Sequence, residues 1–481
     1  MNRSCPDSVG QYVKDYECLL EGIEFFARLE QEVVKQGTIE PIRQHYEQYP
    51  EDKLCHIYRP NTRDIVPCRR SGIDAIERMA ARLTAEAPNS YDLSRKRIAE
   101  IICERILQVV LDRVTDDEEL VQILQSYVTA SVAEHVEASY RFPCVLLYYS
   151  SIQPDFAPPP PEQFALGPVT FQRFPVFAIE FNRAVHAGEK TAQEKALDLF
   201  SQTAEKHGWV ATVAIPRCAP DVSRRRAEEV VDAAINILKV FIGLRYGKSM
   251  RLPHTAPSRN RETCVLTEVA NNVEWTWHGR SLEGALVGGD PLAHIHPYVR
   301  SFASELLDKS VGGARDEATV RLLDALKWFG DASFEESAGV QIVKWIAGLE
   351  RLTTTERLDN GVTHNLCKRV ALLASGLGTG HVEKAYRDAR QAYELRSEVM
   401  HGSRSQDDEH LLTNAGFVHD LTREALLGAL TMHHHLTANI GDGRVESIGR
   451  FYEKIALLHE SLFVQLKKEF KVQRGVQATV P

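Results

Sequence analysis

No two cysteines in this sequence are spaced as CxxC, and the nine that occur (Cys5, Cys18, Cys55, Cys68, Cys103, Cys144, Cys218, Cys264 and Cys367) are an odd number. Both features argue against a disulfide framework and for reduced thiols in a cytoplasm. The N-terminal stretch MNRSCPDSVGQYVKDYE has no apolar signal core, and no unbroken apolar run is long enough to span a bilayer, so no membrane partner is expected. Positive charge is not in excess either. The 57 Lys and Arg against 66 Asp and Glu leave a net charge of -9, which does not suggest a general nucleic-acid coat but leaves room for a local basic pocket. No internal repeat of fixed period is visible.

What is present is a soluble, globular composition. A length of 481 residues exceeds one hydrophobic core of usual size, so two or three domains are expected. Residues 1–140 read as helix: YECLLEGIEFFARLEQEVVKQG places Leu19, Ile23, Phe26 and Leu29 at three- and four-residue steps. The character changes in residues 141–310. Four consecutive prolines, Pro158 to Pro161, exclude both helix and ladder there. VTFQRFPVFAIEF, GWVATVAIP and NNVEWTWHG are rich in β-branched and aromatic residues and predict strands. SRRRAEEVVDAAINILKVFIGL between them predicts an amphipathic helix capped by Ser223. From 315 to 481 the strand signals vanish, and successive helical patterns follow, with short breaks expected at Gly330, Gly376 and Gly402. In the last of them, Ile448, Phe451, Ile455, Leu458 and Leu462 form a near-heptad stripe that should pack on its own bundle. The expected fold class is therefore α+β and multidomain: a mostly helical N-terminal region, a central α/β sensor or regulatory module, and a C-terminal all-α bundle.

Several motifs that suggest chemistry fail on spacing. GLRYGKS, Gly243 to Ser249, has three residues between its glycines where a phosphate loop needs four, and it follows a helix rather than a strand. It reads as a helix end and a turn. GLGTG, Gly376 to Gly380, lacks the strand of a dinucleotide site and reads as a connection. In MHHHL the three histidines, His433 to His435, point about 100° apart on a helix and cannot converge on one ion, so a polar, partly exposed stretch is expected. Arg224 to Arg226 fall in the first turn of their helix, with Glu228 and Glu229 as sufficient partners. No cofactor and no metal site is expected.

The stretch AYELRSEVMHGSRS differs. With Arg396 at 0° on a helical wheel, Ser397 lies at about 100° and His401 at about 140°, while Leu395, Val399 and Met400 are free to face a core. Gly402 lets the chain leave the helix, which puts His401 in the last turn, where the helix dipole favours a cation. A fixed guanidinium beside a titratable imidazole suits acid–base chemistry on a phosphate. The same residues also serve as ordinary helix-end caps, and spacing alone favours that use.

R-x4-H in a helical bundle resembles the HEPN family, specifically its Apea-like branch. RLLDALKWFGDAS is similar to that family's opening helix, IVKWIAGLERL to its second with the pair Leu349 and Glu350, LCKRVALLASG to its third, and AYELRSEVMHG to its signature helix. The resemblance covers residues 317–436. Ser397 stands where the wider family often has Asn, Asp or His; serine bonds a phosphate oxygen but cannot carry a proton. The resemblance implies a metal-independent endoribonuclease that works as a homodimer, with Arg396, Ser397 and His401 as catalytic residues and RNA as substrate. It further implies a toxin-like effector of bacterial antiviral defence, with a phage or partner-protein trigger acting through the N-terminal region. Two alternatives stay open: a non-catalytic HEPN module for RNA or nucleotide binding or for dimerisation, and a sensor whose main activity lies in the central module.

Overall fold

The structure, a computed structural model, describes residues 6–48, 54–58, 65–111, 116–148, 161–185, 200–205, 207–243, 247–248, 250–252, 263–269, 272–278, 285–286, 291–293, 295–313, 315–355, 362–376, 381–437 and 444–466. It is mostly helical with a small sheet component, as α+β requires. Among the described residues no helix is long and apolar enough to cross a membrane. The chain divides into two compact units, Met1–Ala138 with Ile215–Arg225, and Ser139–Ala214 with Arg226–Pro481. Residues 141–214, 226–310 and 315–481 belong to the second unit, and Ile215–Arg225 to the first.

In the first unit, α1 (Pro6–Gln36), α2 (Glu40–Gln48), α3 (Arg70–Glu86), α4 (Arg95–Leu111) and α5 (Asp117–Ala133) form a helical layer. The mostly helical reading of this region did not include a hairpin, β1 (Leu54–Tyr58) and β2 (Ile65–Arg69), whose five-residue runs are too short to show a period. Tyr12, Tyr16 and Leu19 of α1 share a core with Ile76, Met79 and Leu83 of α3, Ile98 and Ile102 of α4, and Leu124 of α5. Asp15 is buried among them and accepts from Arg78 Nε at 2.7 Å and Arg82 Nη1 at 3.1 Å, which offsets its desolvation. Asp116 caps α5 by accepting from the Glu118 and Glu119 backbone N–H groups.

The strands that follow are β3 (Val136–Cys144), β4 (Leu147–Tyr148), β5 (Gln163–Leu166), β6 (Val169–Arg173) and β7 (Trp209–Cys218), with one sheet in the order β3-β7-β6-β5. VTFQRFPVFAIEF, expected as strand throughout, is strand only to Arg173; Phe174–Val185 is helix α6. Pro175 lies in the first turn of α6, where its missing N–H costs no helical bond. Of the four prolines, Pro158 to Pro160 lie outside the described residues. The next helix, α7 (Pro220–Ile242), begins before Ser223, which is therefore not its N-cap. The Ala219 carbonyl takes the first helical bond, from Ser223 N at 2.8 Å, and Pro220 occupies a first-turn position.

Beyond α7 come β8 (Thr263–Val269) paired antiparallel with β9 (Asn272–His278), and β10 (Ala285–Leu286) paired parallel with β4. Then follow α8 (Pro297–Gly312), α9 (Glu317–Ala332), α10 (Ala338–Thr353), α11 (Val362–Ala374), α12 (Val382–Met400), α13 (Glu409–His435) and α14 (Val445–Ala456). The carbonyl end of α7 explains why bundle and central segment belong together. Arg423 of α13 donates to the Val240 and Phe241 carbonyls at 2.5 and 3.0 Å, satisfying groups a helix end leaves open. Lys239 is wholly buried and donates to the Gly330 carbonyl and Ser333 Oγ at 3.3 and 3.2 Å, and burial pushes its ammonium down to about 7.

The break expected at Gly330 falls two residues later, after Ala332; Gly330 itself is still helical, and a Cβ there would collide with Asn236 of α7. Glycine at this position serves close approach rather than termination. The final stripe also differs. Ile448, Tyr452 and Ala456 are buried apolar positions of α14, and a 3-10 turn at Leu457–His459 leaves Leu458 75% exposed. A change of helix type breaks the near-heptad spacing before its fourth member.

Two glycines of α13 make opposite predictions. A Cβ at Gly428 would fall on the Leu373 carbonyl of α11, whereas one at Gly416 meets nothing within 4 Å. Gly428→Ala should cost roughly 1–3 kcal/mol and lower Tm by on the order of 5 °C. Gly416→Ala should leave Tm unchanged or raise it, by up to about 1 kcal/mol of helix propensity. Equal Tm values for the two variants would contradict this packing of α11 on α13.

Candidate active site at the end of helix α12

Helix α12 buries Val382, Tyr386, Ala389, Ala392 and Leu395, a stripe at three- and four-residue steps. The face away from it carries i,i+4 ion pairs, among them Lys384 with Asp388 and Arg387 with Glu383. The helix closes in a Schellman arrangement: Ser403 N donates to Glu398 O at 3.0 Å and Gly402 N to Val399 O at 3.2 Å, with Gly402 at φ 70°. His401 is the C-cap residue and its backbone N–H reaches Ser397 O at 3.0 Å. The expected helix end at Gly402 is what the sequence pattern predicts; Met400, expected to be able to face the core, is 54% exposed.

The three predicted residues take different environments. Arg396 is half-buried, with its side chain 24% exposed, and touches Glu350 of α10 through Nη2 at 3.5 Å. Charge-assisted contacts of full strength run to about 2.7–2.9 Å, so this one is weak. Its Nε is buried with no hydrogen-bond partner among the described residues, and its guanidinium carbon lies 5.8 Å from the centre of the Tyr393 ring. Ser397 is half-buried, and His401 is exposed. His401 lies five residue steps along the helix from Arg396, about 7.5 Å of rise, and no hydrogen bond joins their side chains among the described residues.

Two features of the site were not predicted. The first is Glu350 as a neighbour of Arg396. Burial raises its carboxyl above the usual range, and Arg396 partly opposes that rise. The sequence offered Glu350 only as half of a Leu-Glu pair. The second is the loop after His401. Arg404 Nε donates to Glu398 Oε2 at 2.6 Å and Arg404 Nη1 to Asp408 Oδ1 at 3.2 Å, while the Gln406 carbonyl accepts from Gly339 N at 2.9 Å and Ser337 Oγ at 2.9 Å. This pins the segment after the histidine to the start of α10. Contacts so distant in sequence have no local signal.

The triple histidine is resolved as three separate roles. His433 is buried, not partly exposed as expected, and its Nε2 meets Thr319 Oγ1 at 2.8 Å. His434 Nδ1 pairs with Glu305 Oε2 at 2.7 Å and its ring stacks on Phe302 at 4.2 Å. His435 is exposed. Among the described residues no group of three or more His, Cys, Asp or Glu is arranged to hold a metal ion. In comparisons with known proteins, no family model matches the chain, and no curated protein and no solved structure is significantly similar to it.

The buried His433 gives the bundle an acid sensitivity with a defined sign. Desolvation, helped by Lys309 and opposed by Asp316 and Glu305, pushes its pKa down to about 4 from an ordinary value near 6.5. Between pH 6.5 and 4 the unfolded chain therefore binds a proton that the folded chain does not, and stability falls as pH falls. The full contribution is about 3 kcal/mol. In urea titrations from pH 6.5 to 4, the native chain should lose more stability than His433→Gln, whose amide keeps a partner for Thr319. Parallel pH slopes would place the acid sensitivity on other groups.

Proposed function

We propose that this protein is a metal-independent endoribonuclease of HEPN type, in which Arg396, Ser397 and His401 act on the RNA phosphodiester. The observation that carries the reading is Arg396. Its side chain is 24% exposed, its buried Nε has no partner among the described residues, and its carboxylate contact there, to Glu350, is a weak 3.5 Å. Such a cation has unspent capacity for an anion. RNA brings its own nucleophile, the 2′-OH. His401, exposed at the helix end, takes that proton or delivers one to the departing 5′-oxygen. Arg396 stabilises the added negative charge on five-coordinate phosphorus, and Ser397 holds a phosphate oxygen. The products are a 2′,3′-cyclic phosphate and a 5′-OH, and DNA, lacking the 2′-OH, is not cut.

One copy of α12 presents a single Arg and a single His on a convex surface. Two copies facing each other make a cleft with paired charges, in which one histidine serves as base and the other as acid. The proposed context is a toxin-like effector of antiviral defence, restrained or triggered through the N-terminal unit; it rests on the resemblance alone.

With purified protein and total RNA, cleavage should persist in EDTA. His401→Ala and Arg396→Ala should each abolish it while lowering stability by no more than about 1 kcal/mol. Arg396→Lys should also fail, because an ammonium lacks the forked contact to phosphate. Ser397→Ala, which loses one hydrogen bond and no charge, should be milder. Cleavage by a well-folded His401→Ala would overturn the catalytic assignment in favour of a binding or dimerisation module, and loss in EDTA restored by Mg²⁺ would overturn the metal-free mechanism.

Light scattering should give at least a dimer for the active protein. A fully active monomer would rule out the composite cleft.

A further inference from the structure

Four of the nine cysteines converge in the N-terminal unit, although they are spread from residue 18 to residue 103. Cys55 and Cys68 are direct partners in the antiparallel ladder of β1 and β2. Directly opposed residues in such a ladder have Cα atoms about 4.5–5.5 Å apart and side chains on the same face, and disulfides span about 4.4–6.8 Å between Cα atoms. Cys68 is fully buried, and its sulfur lies in a space left by two glycines: a Cβ at Gly72 would meet it at 2.5 Å and one at Gly22 at 3.1 Å. Cys18 Sγ points to the Ser71 carbonyl beside this space, at 3.5 Å. Cys55, Cys18 and Cys103 all act electrostatically on the Cys68 thiol, so the four sulfurs share one neighbourhood. Cys18, Cys55 and Cys103 are partly accessible. A zinc site would also gather four cysteines, but these are not arranged to hold a metal ion.

We propose that Cys55 and Cys68 are a redox modification site, which a peroxide converts to a cross-strand disulfide. The accessible Cys55 thiolate attacks hydrogen peroxide, breaking the O–O bond to give a sulfenic acid and water. The Cys68 sulfur then attacks the Cys55 sulfur, and the sulfenic oxygen leaves as a second water. Two thiols are oxidised by two electrons and one peroxide is reduced. The buried residue is the resolving thiol and need not meet the oxidant. Burial pushes its pKa up to about 12, so the second step is slow near neutrality and accelerates with pH. The bond would tie the two strands of a short hairpin.

The test is peptide mapping by mass spectrometry of the full-length protein after hydrogen peroxide, with free thiols blocked before digestion. The expected result is a link between the Cys55 and Cys68 peptides that dominates all other links, forms faster at pH 8.5 than at pH 7, and gives way to mixed links when oxidation is done in urea. Cys55→Ala, a change at a half-exposed position that should fold, should abolish the Cys68 link. Links of Cys68 to Cys18 or Cys103 in the native protein, or an accumulating Cys55 oxidation product with no link at either pH, would overturn the proposal.

Discussion

The C-terminal turn of α10 is the point on which the bundle depends. A helix end leaves carbonyls without partners, and this one ends inside the protein, where water cannot supply them. Two buried arginines do so. Arg321 of α9 donates to the Arg351 and Thr354 carbonyls at 2.9 and 2.5 Å, and Arg369 of α11 to the Thr353 carbonyl and Thr355 Oγ1 at 2.6 and 2.9 Å. Burying a guanidinium is costly unless several donors are used and the local field is favourable. Here the negative end of the helix dipole is the field, and the carbonyls are the acceptors. Arg321 also keeps Glu317 at 2.8 Å, and Arg369 lies over the Tyr452 ring of α14 at 5.3 Å, so one helix end links three neighbouring helices, α9, α11 and α14.

That arrangement fixes the candidate site from below. Glu350 lies in the turn the two arginines hold, and Glu350 is the carboxylate that Arg396 touches. The opposite end of α10 holds the loop after His401 through Ser337 and Gly339. One helix therefore sets the surroundings of both the arginine and the segment leaving the histidine, although it contributes none of the three predicted residues. A loosened α10 end would disturb Arg396 without any change to α12.

The sequence made the local features legible and the long-range ones not. The helices from 317 to 435, the end of α12 at Gly402 and the strand at Asn272–His278 are carried by period and by turn residues, which lie within one element. The hairpin at Cys55 and Cys68 escaped because each strand is only five residues. Ser223 misled because Ser is a good cap in isolation, while the helix actually starts three residues earlier at Pro220. Gly330 lies two residues before the end of α9, and what requires glycine there is the approach of Asn236 from another helix, which no local pattern shows. Glu350 and Arg404 gained their roles from partners 46 and 6 residues away in sequence, and no spacing rule distinguishes them from solvated charges.

Arginine identity alone is a poor guide to function in this chain; what satisfies each guanidinium is a better one. Arg423 donates through Nε and Nη2, and Arg321 through Nη1, to backbone carbonyls at helix ends, a structural use. Arg369 resembles Arg396 in having an unpartnered Nε among the described residues, but its side chain is only 3% exposed and its Nη1 is doubly bonded. No solute reaches it. Arg396 combines an unpartnered nitrogen, one long carboxylate contact and 24% side-chain exposure. Its side chain is more accessible than those of Arg321, at 11%, and Arg369, at 3%, and access is one condition for holding a phosphate that arrives from solution. Under the proposed function, the exposed imidazole at the end of the same helix is the group that would move the proton, whereas as a plain helix cap it needs no neighbour with spare donors.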